Sequence, residues 1–242
     1  MAQGQNGVAG EHIADNVARV RERIAAAAAR AGRALSEVTV VAVSKTRTAA
    51  EIKAAHQAGV RHLGENRVEE AAEKRPQLEL PGVIWHMVGH LQRRKARRAV
   101  ELFDVVQSVD SVRLARRLDA LAAERDQALS VLIEINVSGE ESKYGFRIGQ
   151  RAELDGAVAE IVALPHLCVE GLMTVAPLCD DPERVRPVFA HLRELAGELQ
   201  ARFPQGTWQH LSMGMTDDYV VAVEEGATMV RIGRAIFCPP LG

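Results

Sequence analysis

Eight short apolar runs recur along the chain, and this repeat restricts the possible folds more than any other feature. Each run is rich in β-branched residues and is followed by a polar turn and a segment with helical periodicity. Eight such units in 242 residues fit a (β/α)8 barrel, whereas a doubly wound sheet more often has about five to seven strands. We therefore predict the α/β class, with residues 1–242 forming one domain, a single TIM-type (β/α)8 barrel. The runs cover residues 38–43, 62–64, 84–88, 105–109, 131–137, 169–175, 210–213 and 229–232.

Residues 11–31 precede the first run and have the pattern of an amphipathic helix. Their apolar residues follow one another at spacings of four, three and four, which places them on one face, and Gly32 supplies a stop signal. The sequence therefore predicts an extra N-terminal helix packed on the barrel, with residues 1–10 flexible. The apolar stripe consists of Ile13, Val17, Val20 and Ile24.

Three later helices carry N-terminal signals. Thr48 and Glu51 have the spacing of a capping box, in which each side chain bonds the other residue's backbone N–H. Asp181 followed by Pro182 is typical of an N-cap with proline in the first turn. Thr216, followed by two acidic residues, predicts a further N-cap.

Composition excludes several classes of protein. Thirty basic and thirty-two acidic residues leave a formal charge of −2, which removes the general attraction expected between a basic protein and nucleic acid or an anionic membrane. No apolar run approaches the roughly 20 residues of a spanning helix, and the N-terminus lacks a signal-peptide pattern. Cys168, Cys179 and Cys238 are widely spaced, as in a reducing compartment. We expect a cytoplasmic protein without nucleic-acid, membrane or metal partners; no sequence feature identifies a subunit interface, and a monomer is favoured.

Lys45 lies at the carboxyl end of the first predicted strand, where active sites of this fold are found. By position alone it is more simply explained as a strand-end lysine whose ammonium reaches solvent. A lysine whose pKa is lowered by burial or by a nearby cation is instead a nucleophile toward aldehydes. Both interpretations remain open until other residues are considered.

Small and polar residues follow the seventh and eighth runs. Ser212 and Gly214 lie after the seventh, and Gly233 and Arg234 after the eighth. Barrels often bind phosphate with these two loops, because backbone N–H groups, small residues and a helix terminus converge there. Either pair alone is weak evidence, but together with a lysine on the first strand they favour a phosphate site.

These positions lie in sequence blocks that resemble the YggS/PROSC-type pyridoxal-phosphate homeostasis proteins, relatives of the barrel domain of alanine racemase. The blocks occur in order over most of the chain. They are Val-Ala-Val-Ser-Lys at residues 41–45, Gly-Glu-Asn-Arg at 64–67, Trp-His-Met-Val-Gly-His-Leu-Gln at 85–92, Glu-Gly-Leu-Met-Thr at 170–174, Leu-Ser-Met-Gly-Met at 211–215 and Arg-Ile-Gly at 231–233.

The resemblance implies that pyridoxal 5′-phosphate (PLP) is the cofactor and that Lys45 forms the internal aldimine with it. Ser212 and the backbone N–H groups of Gly233 and Arg234 match the family's phosphate cradle, and Met213 shares the block of Ser212. Apo PLP-dependent enzymes are candidate recipients of the cofactor.

The resemblance also implies that Arg231 faces the pyridine nitrogen and that Asn66 borders the cofactor. A guanidinium there disfavours a protonated pyridinium and makes the cofactor a weaker electron sink. Two residues depart from the family pattern. Arg234 stands where a small or hydroxyl residue is usual, and Arg94 stands where asparagine is usual.

Two principal functions follow from the resemblance. The favoured one is a protein of PLP homeostasis that holds or carries the cofactor without strong turnover. The alternative is a single-domain amino-acid racemase, which needs a second acid/base on the opposite face of the substrate. In alanine racemase an additional domain supplies that tyrosine, whereas here the barrel is expected to use the whole chain, and neither Tyr144 nor Tyr219 lies in a motif that marks a base. A barrel for some other phosphate compound is a third, minor alternative.

Two other features have plainer explanations. The basic run at residues 93–98 is best explained as a solvated helix face, because its charges wrap around the helix, although an acidic partner or nucleic acid stays open. His86 and His90 are four residues apart, but His86 lies in a strand and no carboxylate follows at ligand spacing, so a metal site is disfavoured.

Overall fold

The computed structural model describes the backbone of residues 5–239 and the side chains of residues 12–239. Eight parallel strands form a closed barrel in which each of the predicted runs contributes one strand, so the predicted fold is confirmed. A ninth strand of two residues, β6, pairs only with β5. The strands are β1 Thr39–Val43, β2 His62–Glu65, β3 Ile84–Met87, β4 Val105–Val109, β5 Leu129–Asn136, β6 Phe146–Arg147, β7 Leu167–Met173, β8 His210–Ser212 and β9 Met229–Ile232.

Helices surround the barrel. The predicted apolar stripe of α1 is buried against the barrel's helical shell, and Gly32, at φ 67°, follows the end of the helix. The helix begins at residue 5 instead of 11. The flexibility expected of residues 1–10 stays a prediction, and residues 1–4 lie outside the described part of the chain. No helix within residues 5–239 is long and apolar enough to cross a bilayer. The helices are α1 Gln5–Arg30, α2 Ala49–Gln57, α3 Val68–Lys74, α4 Ala96–Leu102, α5 Val112–Ala123, α6 Arg151–Val162, α7 Arg186–Arg202, α8 Tyr219–Glu224 and α9 Arg234–Phe237.

Two of the three predicted helix starts are confirmed. The Thr48 hydroxyl accepts the N–H of Glu51 at 3.3 Å, and the Glu51 carboxylate accepts the N–H of Thr48 at 2.8 Å. Asp181 caps the 3₁₀ turn Pro182–Val185 that leads into α7.

The prediction for Thr216 is wrong. Helix α8 begins later, at Tyr219, and Asp218 occupies the N-cap position. The Asp218 carboxylate accepts the N–H of Met215 at 2.6 Å, while the Thr216 hydroxyl lies 3.5 Å from the N–H of Ala235. The physical reason is that the loop after β8 turns toward the end of β9, so the hydroxyl of Thr216 faces the first turn of α9 rather than its own helix.

Two apolar cores stabilise the barrel. The larger one fills the space between the strands and the helices, and a small one lies within the barrel. Because side chains alternate along a strand, a residue two positions after a member of the small inner cluster also points into the barrel. This alternation places Glu134 and Arg231 in the barrel interior near its C-terminal end. The inner cluster is Val41, Leu132, Met173 and Met229.

Candidate functional site

The turn after β1 presents Lys45 at the C-terminal mouth of the barrel. Strand β1 lies between β2 and β9, with Val43 paired to Gly64 on one side. Asn66 follows Gly64 by two residues, just as Lys45 follows Val43, so the two residues leave the sheet side by side. Lys45 is exposed and Asn66 is half-buried.

Gly233 lies on the other side of Lys45, because β9 pairs with β1. Among the described residues, no protein group accepts a hydrogen bond from the backbone N–H of Gly233 or of Arg234. Two adjacent free N–H groups can bind an anion. The predicted cradle of Gly233 and Arg234 therefore has donors available beside Lys45.

The loop after β8 packs tightly against the loop after β9. Gly214 has φ 91°, and a Cβ there would come within 2.6 Å of the Cβ of Ala222, so only glycine fits. Its carbonyl accepts the N–H of Arg231 at 3.0 Å. The exposed guanidinium of Arg234 pairs with Asp217 and thus links the two loops. Arg234, one of the departures from the family pattern, serves as a loop-to-loop contact.

Arg231 and Ser212 are brought together inside the barrel. Arg231 donates from Nη1 to the Ser212 hydroxyl and from Nη2 to the Thr174 carbonyl, both at 2.7 Å. The Ser212 hydroxyl in turn donates to Oε1 of Gln107 at 2.7 Å. Burial lowers the pKa of Arg231 to about 10, opposed by the charges of Glu134 and Asp218, so the guanidinium stays charged at neutral pH. The hydroxyl proton of Ser212 is engaged, and any bound anion would compete with Gln107 for it.

This hydrogen-bond chain continues across the barrel interior. Gln107 Nε2 lies 2.9 Å from Nδ1 of His86, and Nε2 of His86 lies 2.9 Å from Nδ1 of His62. Burial, together with the nearby His62 and His210, lowers the pKa of His86 to about 3, so its ring is neutral. Because the Gln107 amide donates to Nδ1, we assign the proton of His86 to Nε2. Both ring nitrogens of His86 are thus hydrogen-bonded to protein.

Glu134 also points into the barrel interior, but its carboxyl group is not fully hydrogen-bonded by the described residues. Its side chain is almost fully buried, and Oε2 makes no hydrogen bond to any described group. Burial, and to a lesser extent the charge of Asp110, raises the pKa of Glu134 to about 7 against the opposing charge of Arg231. Glu134 can therefore gain or lose a proton near neutral pH.

An aromatic pair lies at the rim of the mouth. The ring of Tyr144 stacks on His90 with centroids 3.7 Å apart, and Nδ1 of His90 lies 2.9 Å from a carboxylate oxygen of Asp110. His90 thus faces Tyr144 and Asp110, while His86 lies inside the barrel. Within the described part of the chain, no group of three His, Cys, Asp or Glu side chains is placed to hold a metal ion.

The basic run at residues 93–98 spans the 3₁₀ turn Arg93–Lys95 and the start of α4, and most of it is exposed, as a solvated face predicts. Arg94 donates from Nε to Gln92 at 3.0 Å and shares an open cleft with Arg93. The other members form ion pairs: Lys95 with Glu69, Arg97 with Glu124 and Arg98 with Glu101.

Sequence patterns missed three inward groups. Gln107, Glu134 and the Thr174 carbonyl all contact or face Arg231 or its partners. For Gln107 and Glu134 the available signal was a polar residue within an otherwise apolar strand, at an inward position. The Thr174 carbonyl is a backbone group just after β7 and leaves no such signal. Met213 lies differently: its side chain is buried in the outer core, and its N–H donates to Met229 at 3.1 Å.

The comparisons agree with this fold. The alanine racemase N-terminal domain family matches residues 11–239. The pyridoxal phosphate homeostasis protein of Escherichia coli (strain K12) is 43% identical over 232 residues, covering 93% of this chain and 95% of that protein. The structure of PipY from Synechococcus elongatus PCC7942 with PLP bound has 38% identity and a TM-score of 0.82, covering 93% of this chain and 99% of that one.

More distant structures share the fold alone. An alanine racemase of Clostridium difficile 630, in complex with cycloserine, has 14% identity and a TM-score of 0.71, covering 94% of this chain and 58% of that one. The barrel is thus of the alanine racemase N-terminal domain type. The chain belongs to the family of pyridoxal phosphate homeostasis proteins, which the sequence blocks had indicated.

Proposed function

We propose that this protein binds PLP at the barrel mouth and acts in PLP homeostasis. The observation that carries the proposal is the juxtaposition of Lys45 with the free N–H groups of Gly233 and Arg234, which directly follow the neighbouring strand β9. An amine beside an anion cradle suits a ligand that has both an aldehyde and a phosphate. Relatives named for PLP homeostasis and PipY with PLP bound support the same assignment.

Each residue has a role in holding this ligand. Nζ of Lys45 attacks the aldehyde carbon, and the carbonyl oxygen leaves as water when the C=N bond forms. Gly233 and Arg234 bind the phosphate through backbone N–H groups, and Asn66 borders the ring beside Lys45. Bound PLP supplies an electron-withdrawing ring, and the permanent charge of Arg231 near the ring nitrogen keeps that nitrogen unprotonated.

Ser212 is proposed to contact the phosphate, with its hydroxyl turning from Gln107 to the anion. Replacing Ser212 by alanine removes one hydrogen bond to a dianion, which is worth roughly 1.5–3 kcal/mol. We expect Ser212→Ala to weaken PLP binding about ten- to a hundredfold and to affect unphosphorylated pyridoxal much less. Titration of both ligands by absorbance measures the difference.

Ser130→Ala is the matched control for Ser212→Ala. Ser130 is a strand hydroxyl at the opposite end of the barrel, where it bonds Glu170 at 2.8 Å. Its removal should leave both affinities unchanged. Equal losses of PLP and pyridoxal in Ser212→Ala would mean that Ser212 acts only through Arg231 and not on the phosphate.

A carrier is favoured over an amino-acid racemase. Racemisation needs a base facing Lys45 across the substrate. Tyr219 is buried beside α1, where Arg23 lies 5.5 Å from its ring centroid, so it does not face the mouth. Tyr144 is at the rim but is 55% exposed and stacked on His90. We propose that neither tyrosine acts as an efficient base.

Deuterium exchange at the α-carbon of amino acids separates the two functions. The loaded protein in heavy water should exchange the α-proton far more slowly than ordinary enzymes turn over, about 1–1000 per second. The loaded protein should also restore activity to apo PLP-dependent enzymes. We propose that such enzymes are the recipients of its PLP and that the transfer takes place in the cytoplasm. Exchange or inversion at enzyme rates, lost in Tyr144→Phe, would establish the racemase instead.

A further inference from the structure

A cluster of charged residues lies behind the turn that carries Lys45. Lys74, the last residue of α3, donates from Nζ to the Ser44 carbonyl at 2.7 Å. The same ammonium donates to Glu65 at 2.9 Å and to Glu70 at 3.2 Å. The proposed chemistry uses none of these three charged residues, and of the three only Glu65 lies in one of the sequence blocks. They form a group of one cation and two carboxylates directly against the Lys45 turn.

The cluster holds the peptide groups on both sides of Lys45. The carbonyl of Ser44 accepts from Lys74, and the N–H of Thr46 donates to Oε2 of Glu70 at 2.9 Å. Thr46 has φ 63°, an unfavourable backbone conformation for a residue other than glycine, which persists only where the surroundings impose it. The contacts of Lys74 and Glu70 supply that constraint.

Lys74 is the charge that keeps the cluster together. Glu65 is fully buried; its Oε1 accepts from the Ser44 hydroxyl at 2.7 Å as well as from Lys74, and its Oε2 has no partner among the described residues. Burial raises the pKa of Glu65, and the hydrogen bonds from Ser44 and Lys74 oppose that shift. Burial also raises the pKa of Glu70, but the Thr46 N–H and Lys74 outweigh it and the pKa is lowered overall. Without Lys74, Glu65 would lose its ammonium partner, and Glu70 would keep only the Coulombic attraction of Arg67.

We propose that Lys74, acting through Glu65 and Glu70, is a positioning residue that fixes the Lys45 turn so that Nζ of Lys45 meets the aldehyde of the ligand. This inference rests on the proposed function. Lys74 itself donates to the carbonyl of Ser44 and to the two carboxylates, so its effect on the ligand passes through the backbone of residues 44–46.

The test compares Lys74→Met with Lys95→Met. Lys95 forms an ion pair of similar length, 2.7 Å, with Glu69, which lies on the same helix as Lys74. Lys95 does not touch the Lys45 turn. PLP is added to each variant, and attachment to Lys45 is followed by visible absorbance and by borohydride reduction with peptide mapping. We expect attachment to slow by at least about tenfold in Lys74→Met, because a small displacement of a reacting group is costly, and to stay unchanged in Lys95→Met.

A second variant separates positioning from folding. Lys74→Met combined with Glu65→Gln removes the buried unpaired carboxylate but still leaves the Ser44 carbonyl without the ammonium. This variant should fold and should still attach PLP slowly, whereas Lys74→Arg, which keeps a charged donor, should recover most of the rate. The proposal is overturned if folded Lys74→Met, alone or combined with Glu65→Gln, attaches PLP as fast as the unmodified protein does.

Amide hydrogen exchange of Thr46 gives a readout that needs no PLP. The Thr46 N–H should be protected in the unmodified protein and in Lys95→Met, and should exchange at least about tenfold faster in Lys74→Met, because Glu70 is no longer held in place. Unchanged protection overturns the positioning role. If protection is lost as expected but the unmodified protein never attaches PLP at Lys45, the proposed function fails while the turn-fixing role of Lys74 stands.

Discussion

Lys45→Ala is expected to abolish the covalent attachment of PLP. Lys45 leaves the sheet beside Asn66 and the Gly233 loop, so its amine is the one placed to reach an aldehyde whose phosphate lies on that loop. Borohydride adds hydride to the carbon of a C=N bond and leaves a stable amine, which marks the lysine involved. The unmodified protein should carry this mark on the peptide that contains Lys45, and Lys45→Ala should carry none there.

Lys53→Ala is the control for this experiment. Lys53 is an exposed lysine on α2, the helix that follows the Lys45 turn. Its removal should change neither the visible absorbance of the bound ligand nor the reduced peptide. The assignment of Lys45 is wrong if mapping places the mark on another lysine of the unmodified protein, or if Lys45→Ala keeps the absorbance band with no change in intensity.

Glu134→Gln is expected to remove a pH-dependent loss of about 3 kcal/mol from the free energy of unfolding. The pKa of Glu134 is raised from 4.5 to about 7 in the folded protein, and each pKa unit corresponds to about 1.4 kcal/mol. The folded state therefore holds this proton more tightly than the unfolded state does. Stability from this group is fully present below pH 4.5 and is lost as the pH rises through about 7.

Glutamine stays neutral at every pH, so the variant does not undergo this loss. The free energy of unfolding of Glu134→Gln minus that of the unmodified protein should increase by up to about 3 kcal/mol between pH 4.5 and pH 8. Urea denaturation of both proteins without PLP measures the difference. Glu153→Gln, which changes an exposed carboxyl in the first turn of α6, corrects for the loss of one acidic residue. A difference that does not vary with pH would mean that Glu134 is ionised at little cost in the folded protein.

A raised pKa at Glu134 has a consequence for the ligand as well. Glu134 and Arg231 lie in the same interior layer, and each affects the pKa of the other. When Glu134 is protonated, the positive charge of Arg231 is less compensated. The arginine then opposes protonation of a nearby ring nitrogen more strongly. This arrangement suits a protein that holds PLP without promoting loss of an α-proton.

Local signals in the sequence were sufficient for the barrel and for two of the three helix starts that capping residues predicted. The eight apolar runs predicted the strands because burial on both faces of a parallel strand requires a continuous apolar segment. The capping box of Thr48 and Glu51 was predictable because its two hydrogen bonds join residues only three apart. The stripe of α1 was predictable for the same local reason, since a helix repeats every 3.6 residues.

The candidate site was only partly predictable. Strand ends indicated Lys45, Ser212 and Gly233, because the carboxyl ends of all eight strands meet at one mouth. Thr216 was assigned to the wrong role because the N–H group that its hydroxyl faces belongs to Ala235, 19 residues away in the first turn of α9. A contact of that kind depends on how two loops pack, and no local pattern encodes it.

Tertiary structure alone decided the electrostatics of the site. Gln107 bonds Ser212 across 105 residues, and Lys74 reaches Ser44 across 30, so these partners become visible only when the strands are placed side by side. The raised pKa of Glu134 likewise depends on burial inside the barrel and on the charges of Asp110, which follows β4, and of Arg231 on β9. The sequence by itself determined which residues lie at the mouth, because strand periodicity and strand ends are local properties. Closure of the barrel determined what each of those residues bonds and how it is charged, because desolvation and hydrogen bonding depend on neighbours that are distant in the chain.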